Sequence, residues 1–188
     1  FAYAEQPRPE GLAQALIKGD RGELAVELAT EAGVDSVLPW RAARCVAKWD
    51  DGPRGAKALA RWRNTAFQAA KQARRAWVPE VAEPVTTKQL AEEVRRADAA
   101  LVLHESTDVP LASAELPDSG DLLLVVGPEG GVSEEELDVL AGAGAQVVRL
   151  GPTVLRASTA AAVALGALGV LTDRWAVGGR SEAAVNAD

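Results

Sequence analysis

Residues Leu122-Leu123-Leu124-Val125-Val126 form a run of five apolar residues that stops at Gly127-Pro128-Glu129-Gly130-Gly131. An apolar run of this length, bounded by turn residues, reads as a strand buried on both faces. The glycines after it allow close backbone approaches that a Cβ would forbid. A helix start follows at once: Ser133 with Glu136 makes a capping box, and Glu134 and Glu135 suit the positive end of a helix dipole. The stretch Gln146-Val147-Val148-Arg149-Leu150-Gly151-Pro152 repeats the strand-then-Gly-Pro design. In an α/β protein, loops at the carboxyl ends of buried strands are where ligands bind.

The rest of the chain alternates in the same way. A helix spans about Asp20 to Ala32 and stops at Gly33; a short strand follows from Val34 to Leu38, ended by Pro39. A second helix covers Lys57 to Arg75, with Leu59, Trp62, Ala66 and Ala70 on one side, and a third runs from about Thr87 to Ala97. Strands are expected at Ala99 to Leu103, Leu122 to Val126 and Val147 to Leu150. The last helix, Ser158 to Leu171, is apolar nearly all round and rich in alanine and glycine, so it packs closely on the sheet or on another subunit. This order predicts an α/β fold: a mostly parallel sheet with helices on both faces.

Composition narrows the setting. A single cysteine, Cys45, rules out an internal disulfide framework and suits a reducing compartment. The first nine residues lack the basic and apolar segments of a signal peptide. The apolar stretch from Ala160 to Leu171 is shorter than the ~20 residues of a membrane span. These features predict a cytoplasmic protein without a membrane partner. The formal net charge of −7 conceals a basic window from Arg41 to Arg75, where ten Lys and Arg face only Asp50 and Asp51, for a local 10 − 2 = +8. Such a window on an acidic protein is a candidate footprint for a polyanion, or else a solvated helix face.

The loops exclude more chemistry than they name. Neither a phosphate-gripping GxxxxGK[ST] nor a GxGxxG dinucleotide motif is present in the sequence. Glu129 and the acidic helix start would repel a triphosphate. One histidine and one cysteine do not make a zinc site. A serine hydrolase is poorly supported, because His104 would be its only base and no GxSxG elbow is present; a structural role for His104 is the commoner case. A neutral or cationic nucleoside-like cofactor suits the three strand ends best, and S-adenosylmethionine, a sulfonium, is such a molecule.

Taken together, these motifs resemble the RsmE-type 16S ribosomal RNA (uracil-N3)-methyltransferases of the SPOUT superfamily. The resemblance covers nearly all of residues 12 to 175. It is carried by Ala15-Leu16-Ile17-Lys18-Gly19-Asp20, Ala29-Thr30-Glu31-Ala32-Gly33-Val34, Arg44-Cys45, Gly127-Pro128-Glu129-Gly130-Gly131 before Ser133, and Leu150-Gly151-Pro152 through Leu155-Arg156 and Thr159-Ala160. Departures occur at Lys71-Gln72-Ala73-Arg74, where the family commonly has Glu-Gln-Ser/Cys-Gly, and at Ser158, where it commonly has Glu.

The resemblance implies a trefoil-knotted SPOUT methyltransferase domain over residues 12–176, acting as a homodimer on 16S ribosomal RNA in the small subunit. Residues 1–11 would be the linker from an amino-terminal PUA-like domain, and residues 177–188 a disordered tail. It implies S-adenosylmethionine bound by Leu103, His104, Glu105, Gly127, Pro128, Gly130, Gly131, Leu150, Gly151, Leu155 and Thr159. Arg156 would stabilise the developing oxyanion and Glu129 would take the N3 proton. Arg41, Arg44, Lys48 and Arg75 would meet RNA phosphates. A SPOUT ribose 2′-O-methyltransferase and a non-catalytic RNA-binding module are the alternatives; the first usually carries an Asn-rich final motif, which Leu155-Arg156-Ala157-Ser158-Thr159 lacks.

Overall fold

The computed structural model describes residues 9–175. The expected tail, and the expected linker up to residue 8, therefore lie outside the described residues. Six strands form one sheet: β1 (Glu10–Ala15), β2 (Ser36–Trp40), β3 (Glu80–Val81), β4 (Ala99–Leu103), β5 (Leu122–Val126) and β6 (Gln146–Val148). Every pairing is parallel, in the order β3-β2-β1-β5-β4-β6. The helices are α1 (Arg21–Glu31), α2 (Pro53–Gln72), α3 (Thr87–Arg96), α4 (Glu134–Gly142) and α5 (Ala157–Leu171). Contacts group them in two sets: α1 packs against α2 and α5, and α3 against α4. All five residues of β5 are buried, so both faces of the sheet are covered there. This is the expected α/β architecture.

The central strand β1 is the main difference from the sequence reading. Its sequence, Glu-Gly-Leu-Ala-Gln-Ala, contains a single large apolar residue and none of the β-branched residues that mark strands. It is a strand because of where it lies: it pairs with β2 on one side and β5 on the other, and small residues let its neighbours close in. A Cβ at Gly11 would stand 3.1 Å from Ser36 Oγ. Glu10 and Gly11 thus belong to the sheet rather than to a linker.

Pro39 lies within β2 instead of ending it. The Pro39 carbonyl accepts from Val85 N at 2.8 Å, so its missing N–H faces the β3 edge, where the ladder has thinned to an isolated Trp40–Val85 bridge. A proline is tolerated on that side because no ladder bond is lost.

The sheet order places a switch point between β1 and β5. From β1 the chain leaves towards β2; from β5 it leaves past β4 to β6. The loops that follow the two strands diverge and open a crevice at their carboxyl ends. At the opposite, amino ends of the strands, charge is buried. Glu10 is 1% exposed and lies 3.3 Å from Arg174 Nε, whose other end meets Asp35 Oδ2 at 2.9 Å. Asp35 also accepts from Glu10 N and pairs with Arg75 at 3.3 Å. This network fastens the 3-10 turn Asp173–Trp175 to the first strand.

Candidate functional site

The crevice is a cavity of about 630 Å³, within the usual range for small-molecule sites. Three segments line it. They run from Leu103 to Glu105 after β4, from Val126 to Val132 after β5, and from Arg149 to Ser158 after β6, with Ala160 added in the first turn of α5. Ile17, in the loop after β1, and Arg21, at the start of α1, complete the wall.

Of the residues named from sequence, Leu103, His104, Glu105, Gly127, Pro128, Glu129, Gly130, Gly131, Leu150, Gly151, Leu155 and Arg156 all line this cavity. Thr159 does not. It lies in the first turn of α5, where its N–H donates to the Arg156 carbonyl at 2.9 Å, and the residues on either side of it face the cavity instead. Ile17 and Arg21 were missed because the strand that delivers them, β1, carries no strand signal. Ser158, Arg149, Thr153 and Val154 were missed as well, although they adjoin named positions.

Each loop is held in shape locally. Gly131 has φ +75°, a conformation that favours glycine, and its N–H donates to the Pro128 carbonyl at 2.9 Å. A Cβ at Gly127 would come within 2.7 Å of Val132 Cγ2. Arg149 Nε donates to the Gly151 carbonyl at 3.1 Å, which pins the third loop to the end of β6. His104 Nδ1 lies 3.2 Å from Ser106 N and 2.7 Å from Ser106 Oγ, so the ring shapes the turn after β4.

The basic residues separate into two groups. Arg41, Arg44 and Lys48 follow the carboxyl end of β2, on the same side of the sheet as the cavity. Arg41 pairs with Asp51 at 2.7 Å, and Arg44 Nη1 donates to the Gly130 carbonyl at 3.2 Å. Arg75 is elsewhere and does not join them. Its side chain is 11% exposed and donates to the carbonyls of Thr30 and Val34 and to Asp35, at the amino end of β2. Burial pulls the Arg75 guanidinium below its ordinary value; Asp35 opposes the shift and Arg174 adds to it. Charge counting could not make this distinction, because a fastening arginine and a solvated one look alike in sequence.

The donor set suits the cofactor inferred from sequence. The walls offer backbone amides and carbonyls with two carboxylates, Glu105 and Glu129, and no lysine. Of the three arginines in the lining, Arg149 is engaged by the Gly151 carbonyl and Asp108, which leaves Arg21 and Arg156 to meet anionic groups. A Cβ at Gly151 would meet nothing within 4 Å, so that loop leaves open space for a ligand to approach. Carboxylates set among backbone donors and acceptors fit a nucleoside that carries a cationic centre.

Comparison with known proteins agrees. Residues 4–169 match the RNA methyltransferase domain model. Ribosomal RNA small subunit methyltransferase E of Mycobacterium bovis is 54% identical over 171 residues, covering 89% of this chain and 65% of that protein. The protein of the same name from Bacillus subtilis is 35% identical over 176 residues, covering 90% of this chain and 68% of its own length. The chain thus spans about two thirds of the length of these relatives. A crystal structure of ribosomal RNA small subunit methyltransferase E from Neisseria gonorrhoeae bound to S-adenosyl methionine superposes with a TM-score of 0.81 at 29% identity, covering 92% of this chain and 70% of that one. The chain belongs to the RNA methyltransferase domain family and, within it, to the ribosomal RNA small subunit methyltransferase E group.

Proposed function

We propose that the chain is the catalytic part of an S-adenosylmethionine-dependent methyltransferase that acts on uridine N3 of 16S ribosomal RNA. The observation that carries this reading is the convergence of the three loops after β4, β5 and β6 on one cavity whose wall also holds Arg21 and Arg156. When bound there, S-adenosylmethionine supplies an electrophilic methyl group on a sulfonium.

The chain's own residues do the rest. Backbone groups of Leu103, Gly127, Gly131, Leu150 and Leu155 hold the adenosine, and positioning of this kind contributes up to ~7–11 kcal/mol in favourable cases. Glu129 is the candidate acceptor for the N3 proton. Its Oε1 accepts from Lys18 N at 3.2 Å, which fixes the carboxylate at the cavity wall. Arg156 is exposed at the cavity wall and is the candidate partner for negative charge developing on the uracil oxygens.

RNA approaches over Arg41, Arg44 and Lys48, with the target base turned out of its stack. A homodimer is supported by α5, which leaves Val163 and Val170 exposed at 44% and 76% beside Leu171 at 49%. Among the described residues no helix is long and apolar enough to cross a membrane. A cytoplasmic setting, where ribosomes are assembled, fits the substrate.

Mass mapping of methylated nucleosides in ribosomal RNA from cells lacking the protein tests the proposal. Loss of N3-methyluridine is the expected result. Loss of a ribose methylation, with N3-methyluridine intact, would overturn it.

A further inference from the structure

The capping box at the start of α4 does more than cap. A box of this kind needs one carboxylate oxygen, and Glu136 Oε2 fills that role, accepting from Ser133 N at 3.3 Å and lying 3.2 Å from Ser133 Oγ. The other oxygen, Oε1, leaves the helix. It accepts from Ala43 N at 2.8 Å and from Thr87 Oγ1 at 2.8 Å. Glu136 itself is 6% exposed, whereas its two Oε1 partners lie at the edge of the buried region, so the carboxylate reaches outward to hold them.

Ala43 immediately precedes Arg44, and Arg44 closes a ring. Its Nη1 donates to the Gly130 carbonyl at 3.2 Å, and a Cβ at Gly130 would stand 3.1 Å from Arg44 Cβ and 3.2 Å from the Arg44 carbonyl. Gly130 is three residues before Ser133, which Glu136 caps. The loop after β2 and the loop after β5 are therefore tied twice, once through Glu136 and once through Arg44.

We infer that Glu136 is a positioning residue that holds the Arg44 loop against Gly130 and so sets the shape of the wall from Gly127 to Gly131. Its effect on ligand binding rests on the function proposed above; its effect on the loop does not.

The test is amide hydrogen exchange in the ligand-free protein, followed by calorimetry with S-adenosylmethionine. Glu136→Gln leaves one acceptor oxygen for two sets of donors, so the bonds from Ser133 N and those from Ala43 N and Thr87 Oγ1 can no longer all be made. Exchange at Gly131 should therefore speed by at least about tenfold, the scale of one lost hydrogen bond to a charged group. Thr86→Ala removes the cap of α3, where Thr86 Oγ1 accepts from Gln89 N, and should lower stability without changing Gly131 exchange. Arg44 is exposed, so Arg44→Ala remains folded even where Glu136→Gln does not, and it should speed exchange at Ala43. Unchanged exchange at Gly131 in Glu136→Gln and at Ala43 in Arg44→Ala would overturn the inference.

In calorimetry, Glu136→Gln should weaken cofactor binding in the parent protein and add little in the Arg44→Ala background. Additive losses would overturn coupling through Arg44. Failure of the parent protein to bind S-adenosylmethionine would instead count against the proposed function, while the exchange result would still decide the role of Glu136.

Discussion

Lys18 and Glu129 meet across the switch point of the sheet: the Lys18 backbone N–H, just past β1, donates to Glu129 Oε1, just past β5, at 3.2 Å. The bond bridges the two loops where the chain diverges, and it orients a carboxylate at the edge of the cavity. Because the donor is a backbone group, any substitution at position 18 other than proline leaves it in place.

Glu129→Gln separates the charge of this group from its geometry, since the amide oxygen can still accept from Lys18 N. With Glu129 as proton acceptor, turnover should fall about 10²–10⁴-fold while cofactor affinity stays near that of the parent. Single-turnover methylation and calorimetry check the two halves. A fall in affinity equal to the fall in rate would assign Glu129 to binding.

Gly127→Ala should cost cofactor affinity more than stability. The new Cβ would meet Val132 Cγ2 at 2.7 Å, and the strain is relieved by moving the loop. At least a tenfold weaker Kd is expected, equivalent to about 1.4 kcal/mol. Titration calorimetry beside a urea melt distinguishes loop movement from unfolding.

Arg174→Ala should destabilise the domain by about 3–5 kcal/mol, because it takes away a cation held against the buried Glu10 carboxylate. The cavity lies at the other end of the strands, so whatever remains folded should bind cofactor normally. Urea denaturation followed by tryptophan fluorescence measures the loss.

Lys48→Ala and Arg75→Ala should part company in a salt titration of RNA binding. Lys48 is exposed on the cavity side, and its loss should reduce the slope of log K against log salt by about 1. Arg75 is spent on Thr30, Val34 and Asp35, so its loss should lower stability and leave the slope unchanged.

Cys45 makes an alkaline prediction. Burial pushes its thiol above the ordinary value of 9.0, outweighing the hydrogen bonds from Ala42 and Leu16 that oppose the shift. The native state therefore holds this proton more tightly than the unfolded chain. The resulting stability is fully present below pH 9.0 and is lost as pH rises through the raised native value. Urea midpoints measured on either side of that value should fall more steeply for the parent than for Cys45→Ala.

Much of this site could be read in advance because loops of its kind are written in glycine, proline and capping residues. Gly127 to Gly131 and the Ser133–Glu136 box stand in the structure where the pattern places them. What could not be read depends on neighbours. β1 has no strand signal of its own, and its position between β2 and β5 is what makes it a strand. Arg75 shares its charge with Lys48 but not its surroundings. Thr159 sits in a matching motif, yet the turn of α5 directs it away from the cavity that Ser158 and Ala160 line.

The buried charges around Glu10, Asp35, Arg75 and Arg174 lie at the amino ends of the strands, while the crevice opens at their carboxyl ends. With the function proposed for the crevice, durability and chemistry fall at opposite poles of one sheet. Selection can retune either pole with little trespass on the other, so drift in the fastening should leave the reaction's specificity untouched.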